Sequence, residues 1–318
     1  MFPDAPEPFI DLSTGINPHS YPVPQLSPEV FGRLPEPAAL ARLAAAAASA
    51  YGAPSAEHVA AAPGTQILLP LVAALVPPGR AAILGPTYAE FSRTAALAGH
   101  EVAEVGDIGQ LRDADLAVVV NPNNPDGRVF NKHELLELAA ARRRRDGLLV
   151  VDEAFMDVGP AGASLCGEVA RRDIVVLRSF GKFFGLAGLR LGFALAAPEI
   201  AARLAASLGP WAVAGPAIAI GRTALADAGW VRAMRERLES EARRLDAVLA
   251  GAGIEVIGGT PLFRLARLPA ADRLFHHLGR AGILTRRFPE QPGWLRIGLP
   301  GSEAAWDRLR AALAAFAP

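Results

Sequence analysis

A chain of 318 residues, 51% hydrophobic and 20% charged, can bury a large core and has length for two domains, which excludes a disordered protein. Lys+Arg and Asp+Glu stand at 32 each, so a net charge of zero supplies no overall field to attract nucleic acid or an anionic membrane. The single cysteine, Cys166, excludes internal disulfides and suits a reducing compartment.

The N-terminal MFPDAPEPF has no basic region leading into an apolar core, so no secretory leader is expected and the cytoplasm is the expected location. The longest uncharged stretches are alanine-rich or broken by proline and glycine, and none reads as a membrane-spanning helix. Residues 1–37 are rich in proline and turn formers (DLSTGINPHSYPVP) and are predicted to form an extended arm that packs with a small C-terminal domain. An alanine-rich helix is predicted over 38–51. The stretch APGTQILLPLVAALV then reads as a glycine turn opening a helix whose first backbone N–H groups are free.

Short apolar runs follow, separated by helical stretches: AAILG (81–85), EVAEV (101–105), LAVVV (116–120), LLVVD (148–152), IVVLRS (174–179) and LGFALA (191–196). Near-continuous apolar strands alternating with helices predict an α/β domain over 38–210, with a mostly parallel sheet covered on both faces. The run RRRR at 142–145 closes the helical ELLELAAARRRR, where cations favour the negative end of the helix dipole, and it reads as a solvated helix end. After Pro198 long helices dominate, including WVRAMRERLESEARRLDAVLAGAG. Residues 211–318 are predicted to form a small α+β domain with strands IEVIGG, PLFRLARL, ILTRRF and WLRIGL and a final helix SEAAWDRLRAALAAF.

One lysine stands apart. The chain has two, Lys132 and Lys182, and its other thirty basic residues are arginine. Lys182 lies among apolar and aromatic residues in IVVLRSFGKFFGLAGLRLGFALA, on a tight connection between two predicted strands. Arginine keeps its charge there, whereas a lysine in an apolar setting can lose its proton and act as a nucleophilic amine. In an open α/β sheet, ligands bind beyond the carboxyl ends of the strands, so the polar residues that end the runs matter most. LAVVV ends in NPNNPDG, LLVVD in Asp152, IVVLRS in Ser179 with Lys182 behind it, and AAILG in PTY. A carboxylate, an amide, a hydroxyl, an aromatic ring and an amine are thereby expected at one sheet edge.

With these residues in view, the sequence resembles the fold-type I, aspartate-aminotransferase-like, pyridoxal-phosphate enzymes over essentially its whole length. SFGKFFGLAGLRLGF is similar to the lysine signature of that superfamily, and NPNNPDG and DEAF match two more of its segments. The resemblance implies that Lys182 binds pyridoxal 5'-phosphate as a Schiff base and is catalytic together with Asp152, which pairs with the pyridinium nitrogen. It implies that Asn124 bonds the ring hydroxyl, that Tyr88 stacks on the ring, and that the cofactor phosphate takes Gly64, Thr65, Gln66, Ser179 and Arg190. WLRIGLP resembles the segment carrying the arginine for the substrate α-carboxylate, here Arg296. No metal is expected.

Within the superfamily, STGINPHSYP in the arm and DEAFMDV resemble the threonine-phosphate decarboxylases, which sit beside the histidinol-phosphate aminotransferases. The resemblance implies decarboxylation of L-threonine O-3-phosphate to (R)-1-amino-2-propanol O-2-phosphate for cobalamin, by a homodimer with no nucleic-acid or membrane partner. A phosphate-ester aminotransferase of the histidinol-phosphate type is the alternative, and a non-catalytic pyridoxal-phosphate-binding regulator a remoter one. A phosphorylated amino acid brings a second anion. Arg286 of ILTRRF is the candidate for its phosphate, because adjacent strand residues face opposite ways and Arg287 is expected in solvent. Asn17 in the arm and Asn124 are further candidates for substrate contact. Two positions depart from the pattern: Phe155 stands where many relatives have tyrosine, and Leu34 stands where many have a tyrosine that reaches the neighbouring subunit's cofactor.

Overall fold

The computed structural model of the chain describes residues 2–143 and 147–316. They form two compact units, a smaller one from Met1–Ser20, Pro125–Arg128 and Trp230–Pro318, and a larger one from Tyr21–Asn124 and Val129–Gly229. Residues 21–37 and 211–229 thus belong to the larger unit, although the sequence pattern assigned them to the arm and the small domain. Packing explains the difference. The backbone of Val30, in the short helix Glu29–Gly32, lies so close to the helix Gly215–Ala226 that a Cβ on Gly215 would come within 2.4 Å of the Val30 carbonyl oxygen. The Tyr21 N–H donates to the Phe184 carbonyl (2.8 Å) and its hydroxyl to Asp227 (3.1 Å).

Thirteen strands are present among the described residues. In chain order they are β1 (Ile10–Asp11), β2 (Val59–Ala62), β3 (Arg80–Leu84), β4 (Glu101–Val105), β5 (Leu116–Val120), β6 (Leu148–Asp152) and β7 (Ile174–Ser179). Then come β8 (Gly192–Ala196), β9 (Glu255–Thr260), β10 (Phe263–Arg267), β11 (Ile283–Leu284), β12 (Arg286–Arg287) and β13 (Trp294–Gly298).

In the larger unit seven strands form one sheet in the order β2-β8-β7-β6-β5-β3-β4. All six apolar runs read from the sequence are in it. The pairings β7-β6-β5-β3-β4 are parallel, and β8 runs antiparallel to both β7 and β2. Edge strand β2 has the sequence VAAA, a composition with little intrinsic strand preference, and it is held by its register with β8.

Side chains alternate between the two faces of the sheet. Leu116, Val118, Val120, Leu148, Val150, Val175 and Leu177 share one core with Leu68, Leu69 and Val72, Phe91 and Ala95, and Ala201 and Leu204, which lie on three helices. Asp152 and Ser179 continue that face where β6 and β7 end. Both faces are covered over the central strands, so β5, β6 and most of β7 are apolar and the polar residues at their ends can carry function, whereas edge strand β4 (EVAEV) exposes its two glutamates.

Arg142, read as part of a solvated helix end, is instead buried in the larger unit. Its guanidinium donates to the carbonyls of Leu111 (2.6 Å) and Leu148 (3.2 Å), satisfying acceptors below the start of β6. Arg144 and Arg145 of the same run lie outside the described residues.

In the smaller unit β12, β13, β10 and β9 form an antiparallel sheet in that order. The arm contributes β1, which pairs in parallel with β11, and the N–H groups of Ile10 and Leu12 donate to the carbonyls of Gly282 and Leu284. The ILTRRF run therefore divides at Thr285 between two sheets. Residues 125–128 lie against β9: the Gly259 N–H donates to the Asp126 carbonyl (2.8 Å), and a Cβ on Gly127, whose φ is +73°, would overlap the Gly259 carbonyl. Among the described residues no helix is long and apolar enough to cross a membrane.

Candidate active site

In the larger unit, three chain segments meet at the carboxyl edge of the sheet. Gly64, after β2, has φ +84° and lies under the Arg190 guanidinium, so a Cβ there would come within 2.7 Å of Nη2. The next peptide rests on β8, because a Cβ on Gly192 would meet the Thr65 nitrogen at 2.6 Å. Gly192 in turn is the register partner of Ser179 at the end of β7. Glycine at both contacts is what allows Gly64, Thr65, Ser179 and Arg190 to converge. Arg190 itself adopts the left-handed conformation (φ +54°), uncommon for a residue with a side chain. The result is a small cradle with backbone N–H groups, a hydroxyl and a cation, the donor set that suits a phosphate.

Gln66 and Tyr88 close one side. The Tyr88 hydroxyl donates to Gln66 Oε1 (3.0 Å), and Gln66 Nε2 donates to Glu90 (2.9 Å). The Tyr88 ring is 43% exposed and edge-on to Phe91, with centroids 6.3 Å apart. Asn123, next to half-buried Asn124, is fixed by a bond from the Thr87 hydroxyl (2.8 Å) and one to the Pro86 carbonyl (3.0 Å). Asn121 and the Phe130 backbone bond each other reciprocally, which pins the loop that carries Asn124.

Asp152 is buried at the end of β6, where its Oδ1 accepts from the Ala154 N–H (3.1 Å). Burial raises its pKa from 3.8 to about 7, against the lowering effects of that N–H and the Lys182 charge. Lys182 sits in the single helical turn Phe180–Phe183 that follows Ser179, with Nζ 5.7 Å from the centroid of the Phe155 ring. A carboxyl group that resists ionisation and an amine beside an aromatic face occupy the same strand-end region.

Asn17, Arg286 and Arg296 belong to the smaller unit. Arg296 is buried on β13, donates to the Ser13 carbonyl, and lies 5.0 Å from the Phe263 ring centroid. Burial and then the Arg286 charge lower its pKa to about 10, which still leaves a cation at neutral pH. Arg286 is the register partner of Arg296 across the antiparallel pair, so the two share a face. Arg287 faces the other way, ion-paired to Asp272 (2.8 Å) with its guanidinium 4.7 Å from the Phe275 ring centroid. Asn17 is buried and its Oδ1 accepts from the His19 N–H (2.8 Å), while His19 bonds Glu241 (2.8 Å).

The family model for aminotransferase class I and II matches residues 10–313. The chain belongs to the class I and II aminotransferase family. It is 45% identical to a threonine-phosphate decarboxylase of Pseudomonas aeruginosa over 311 residues, covering 97% of this chain and 92% of that one. A threonine-phosphate decarboxylase of Sinorhizobium sp. is 43% identical over 312 residues, with the same coverage of 97% and 92%. Among solved structures, the histidinol-phosphate aminotransferase of Sinorhizobium meliloti, in complex with pyridoxal-5'-phosphate, superposes with a TM-score of 0.83 at 21% identity, covering 96% of this chain and 90% of that one. The fold is the aminotransferase-like α/β fold.

In this member of the aminotransferase family, sequence reasoning missed a buried charge cluster behind the site. Arg178 donates to Glu153 (3.0 Å) and Asp157 (2.6 Å), and its guanidinium lies 4.3 Å from the Tyr51 ring centroid. Glu153 was legible only as a letter in DEAF. A cation inside the apolar run IVVLRS is the signal that could have found its partners, since a buried charge needs one.

The state of Asp152 has a measurable consequence. Its folded-state pKa exceeds the ordinary value, so between pH 3.8 and about 7 the native chain holds a proton that the unfolded chain has released. Stability of the apoprotein therefore falls as pH rises through that window. Asp152→Asn should melt above wild type at pH 8 and lose this advantage toward pH 4, with a difference of at most about 4 kcal/mol for the shift from 3.8 to about 7. Melting curves that separate at low pH and converge at high pH would contradict the buried, neutral carboxyl.

Proposed function

We propose that this chain is a pyridoxal 5'-phosphate-dependent decarboxylase of L-threonine O-3-phosphate, yielding carbon dioxide and (R)-1-amino-2-propanol O-2-phosphate for cobalamin biosynthesis. One observation carries the reading: identity of 45% and 43% over 97% of the chain to two relatives named for that reaction.

The residues fit the cofactor. The cradle of Gly64, Thr65, Gln66, Ser179 and Arg190 has the donors for its phosphate, and Asp152 has the carboxyl for its ring nitrogen. When bound, pyridoxal phosphate supplies an electron sink for the pair left on Cα as the carboxylate departs. Asp152 would hold a proton on the ring nitrogen, and the positive charge there would offset the penalty that burial imposes on its own ionisation. Lys182 Nζ would attach the cofactor and then carry a proton to Cα. Asn124 would bond the ring hydroxyl, where Phe155 has no hydroxyl to offer, and Tyr88 would stack on the ring. Buried Arg296 would orient the substrate carboxylate, and Asn17 and Asn124 are proposed for further substrate contacts.

Arg286 is proposed for the substrate phosphate. The support is its face, shared with Arg296, while Arg287 is engaged by Asp272 and Phe275. A homodimer is proposed as the working form. In the larger unit a groove is lined by Val30, Leu34, Pro35 and Ile218 together with Arg33 and Arg222, and the exposed Phe31 (69%) and Leu34 (66%) offer apolar surface that a second copy would cover. One buried cysteine suits the reducing cytoplasm proposed as its location.

Incubation of the holoenzyme with threonine phosphate should release carbon dioxide in proportion to substrate consumed, with no keto acid. Keto-acid formation dependent on an acceptor would assign the chain to the transaminases instead. Arg286→Ala should raise KM for threonine phosphate at least tenfold, since loss of a charged contact of this kind costs about 2 to 5 kcal/mol, and should leave the cofactor spectrum intact. If Arg287→Ala has that effect and Arg286→Ala does not, the face assignment is wrong. Light scattering at assay concentration should give a dimer, converted towards monomer by Phe31→Glu with Leu34→Glu; a fully active wild-type monomer would dispose of the dimer.

A further inference from the structure

The buried cluster under the sheet edge has no role in the chemistry described so far, although among the described residues it joins three buried charges inside the larger unit. Its placement is specific. Asp152 is the register partner of Leu177, so Asp152, Leu177 and Ser179 point to one face, and Glu153 and Arg178 point to the other. The backbone ladder between β6 and β7 ends at the bond from the Glu153 N–H to the Leu177 carbonyl (2.9 Å). At that point the ion pair Arg178–Glu153 (3.0 Å) continues the join through side chains. Glu153 also accepts from the Ser164 hydroxyl (2.6 Å), the Leu165 N–H (2.7 Å) and the Cys166 thiol (3.5 Å), so its carboxylate is held from three directions. Arg178 reaches on to Asp157 (2.6 Å), two residues beyond the DEAF segment, and lies against the Tyr51 ring.

We infer that Glu153, Arg178 and Asp157 are positioning residues, which bolt the ends of β6 and β7 together so that Asp152 and Ser179 are presented at fixed spacing. The inference rests on the proposed role of Asp152 toward the cofactor. The cluster is fully inside the protein, where an ion pair adds less to stability than its geometry suggests and is best explained by what it orients. It touches the chain one residue after Asp152 and one residue before Ser179, the two positions whose spacing matters. Two of its charges act on Asp152 beside that of Lys182: Glu153 raises the proton affinity of Asp152, and Arg178 and Lys182 lower it. Around Arg178 the other ionisable groups are Asp157, Tyr51 and Cys166; burial opposes its charge, and Asp157, Cys166, Glu153 and Tyr51 together outweigh that opposition.

The opposite signs make the test specific. Apoprotein is prepared as wild type, Glu153→Gln and Arg178→Gln, each with and without Asp152→Asn. The pH dependence of the melting temperature then isolates the titration of Asp152 in each background, and quenching of tryptophan fluorescence by added pyridoxal phosphate measures the dissociation constant. Glu153→Gln should move the Asp152 midpoint down and Arg178→Gln should move it up, each with cofactor affinity at least about tenfold weaker, the low end of the loss when a partner that orients a binding group is removed. A cluster that only stabilises the fold would lower both melting temperatures without shifting the midpoints in opposite directions. Midpoints that stay together, or affinities within twofold of wild type in folded variants, overturn the inference. Should Arg178→Gln fail to fold, the nearly isosteric Glu153→Gln decides alone, and it must show both the downward midpoint and the weaker binding. If Asp152→Asn binds pyridoxal phosphate as wild type does at every pH, the role of Asp152 is lost and this inference falls with it. A normal Asp152 effect with a silent Glu153→Gln removes this inference only.

Discussion

One guanidinium shared by two carboxylates governs the carboxyl edge of the larger sheet. Arg178 stands in an otherwise apolar strand, buried between Glu153 and Asp157 and packed on Tyr51. Removing the cation would leave two carboxylates without their counter-charge and without water, a loss that typically costs about 3 to 5 kcal/mol. The three groups therefore constrain one another, and with them the strand ends that carry Asp152 and Ser179. A parallel sheet buried on both faces has few places for charge, so where charge is tolerated its geometry is closely specified.

Backbone proximity organises the second half of the same edge. Gly64 and Gly192 allow the turn after β2 to rest on the start of β8 and under Arg190. Any side chain at Gly192 would push the Thr65 nitrogen away by steric contact, and one at Gly64 would displace the Arg190 guanidinium. An anion cradle made of main-chain donors depends on such contacts, because its donors cannot move independently of the chain. The antiparallel direction of β8 is what brings Arg190, just before its start, to the same edge as Ser179 at the end of β7.

In the smaller unit, cross-strand register does the sorting. Arg286 and Arg287 are adjacent and chemically identical, yet one lies opposite Arg296 and the other is taken up by Asp272 and Phe275. Two arginines on one face repel, and burial adds to the cost of the Arg296 charge, as the lowering of its pKa records. Such an arrangement favours an anion, which would relieve both effects at once.

The sequence by itself determined the large sheet and the identity of the groups at its edge. Unbroken apolar runs mark buried parallel strands, and the polar residues that end LLVVD and IVVLRS fall where ligands bind, so Asp152, Ser179 and Lys182 stood out from order and composition alone. It also placed Arg286 and Arg287 on opposite faces, since side-chain alternation is a local property of a strand. Only the tertiary structure decided what depends on partners distant in the chain. Edge strand β2 reads as alanine and is a strand because β8 pairs with it. Arg142 reads as a solvated helix end and is buried because carbonyls of Leu111 and Leu148 await it. Glu153, Asp157 and Tyr51 lie far from one another or look ordinary in the sequence, and they become a cluster because strand pairing sets Arg178 among them. At these positions burial and pairing are set by partners distant in the chain, which the local pattern does not name.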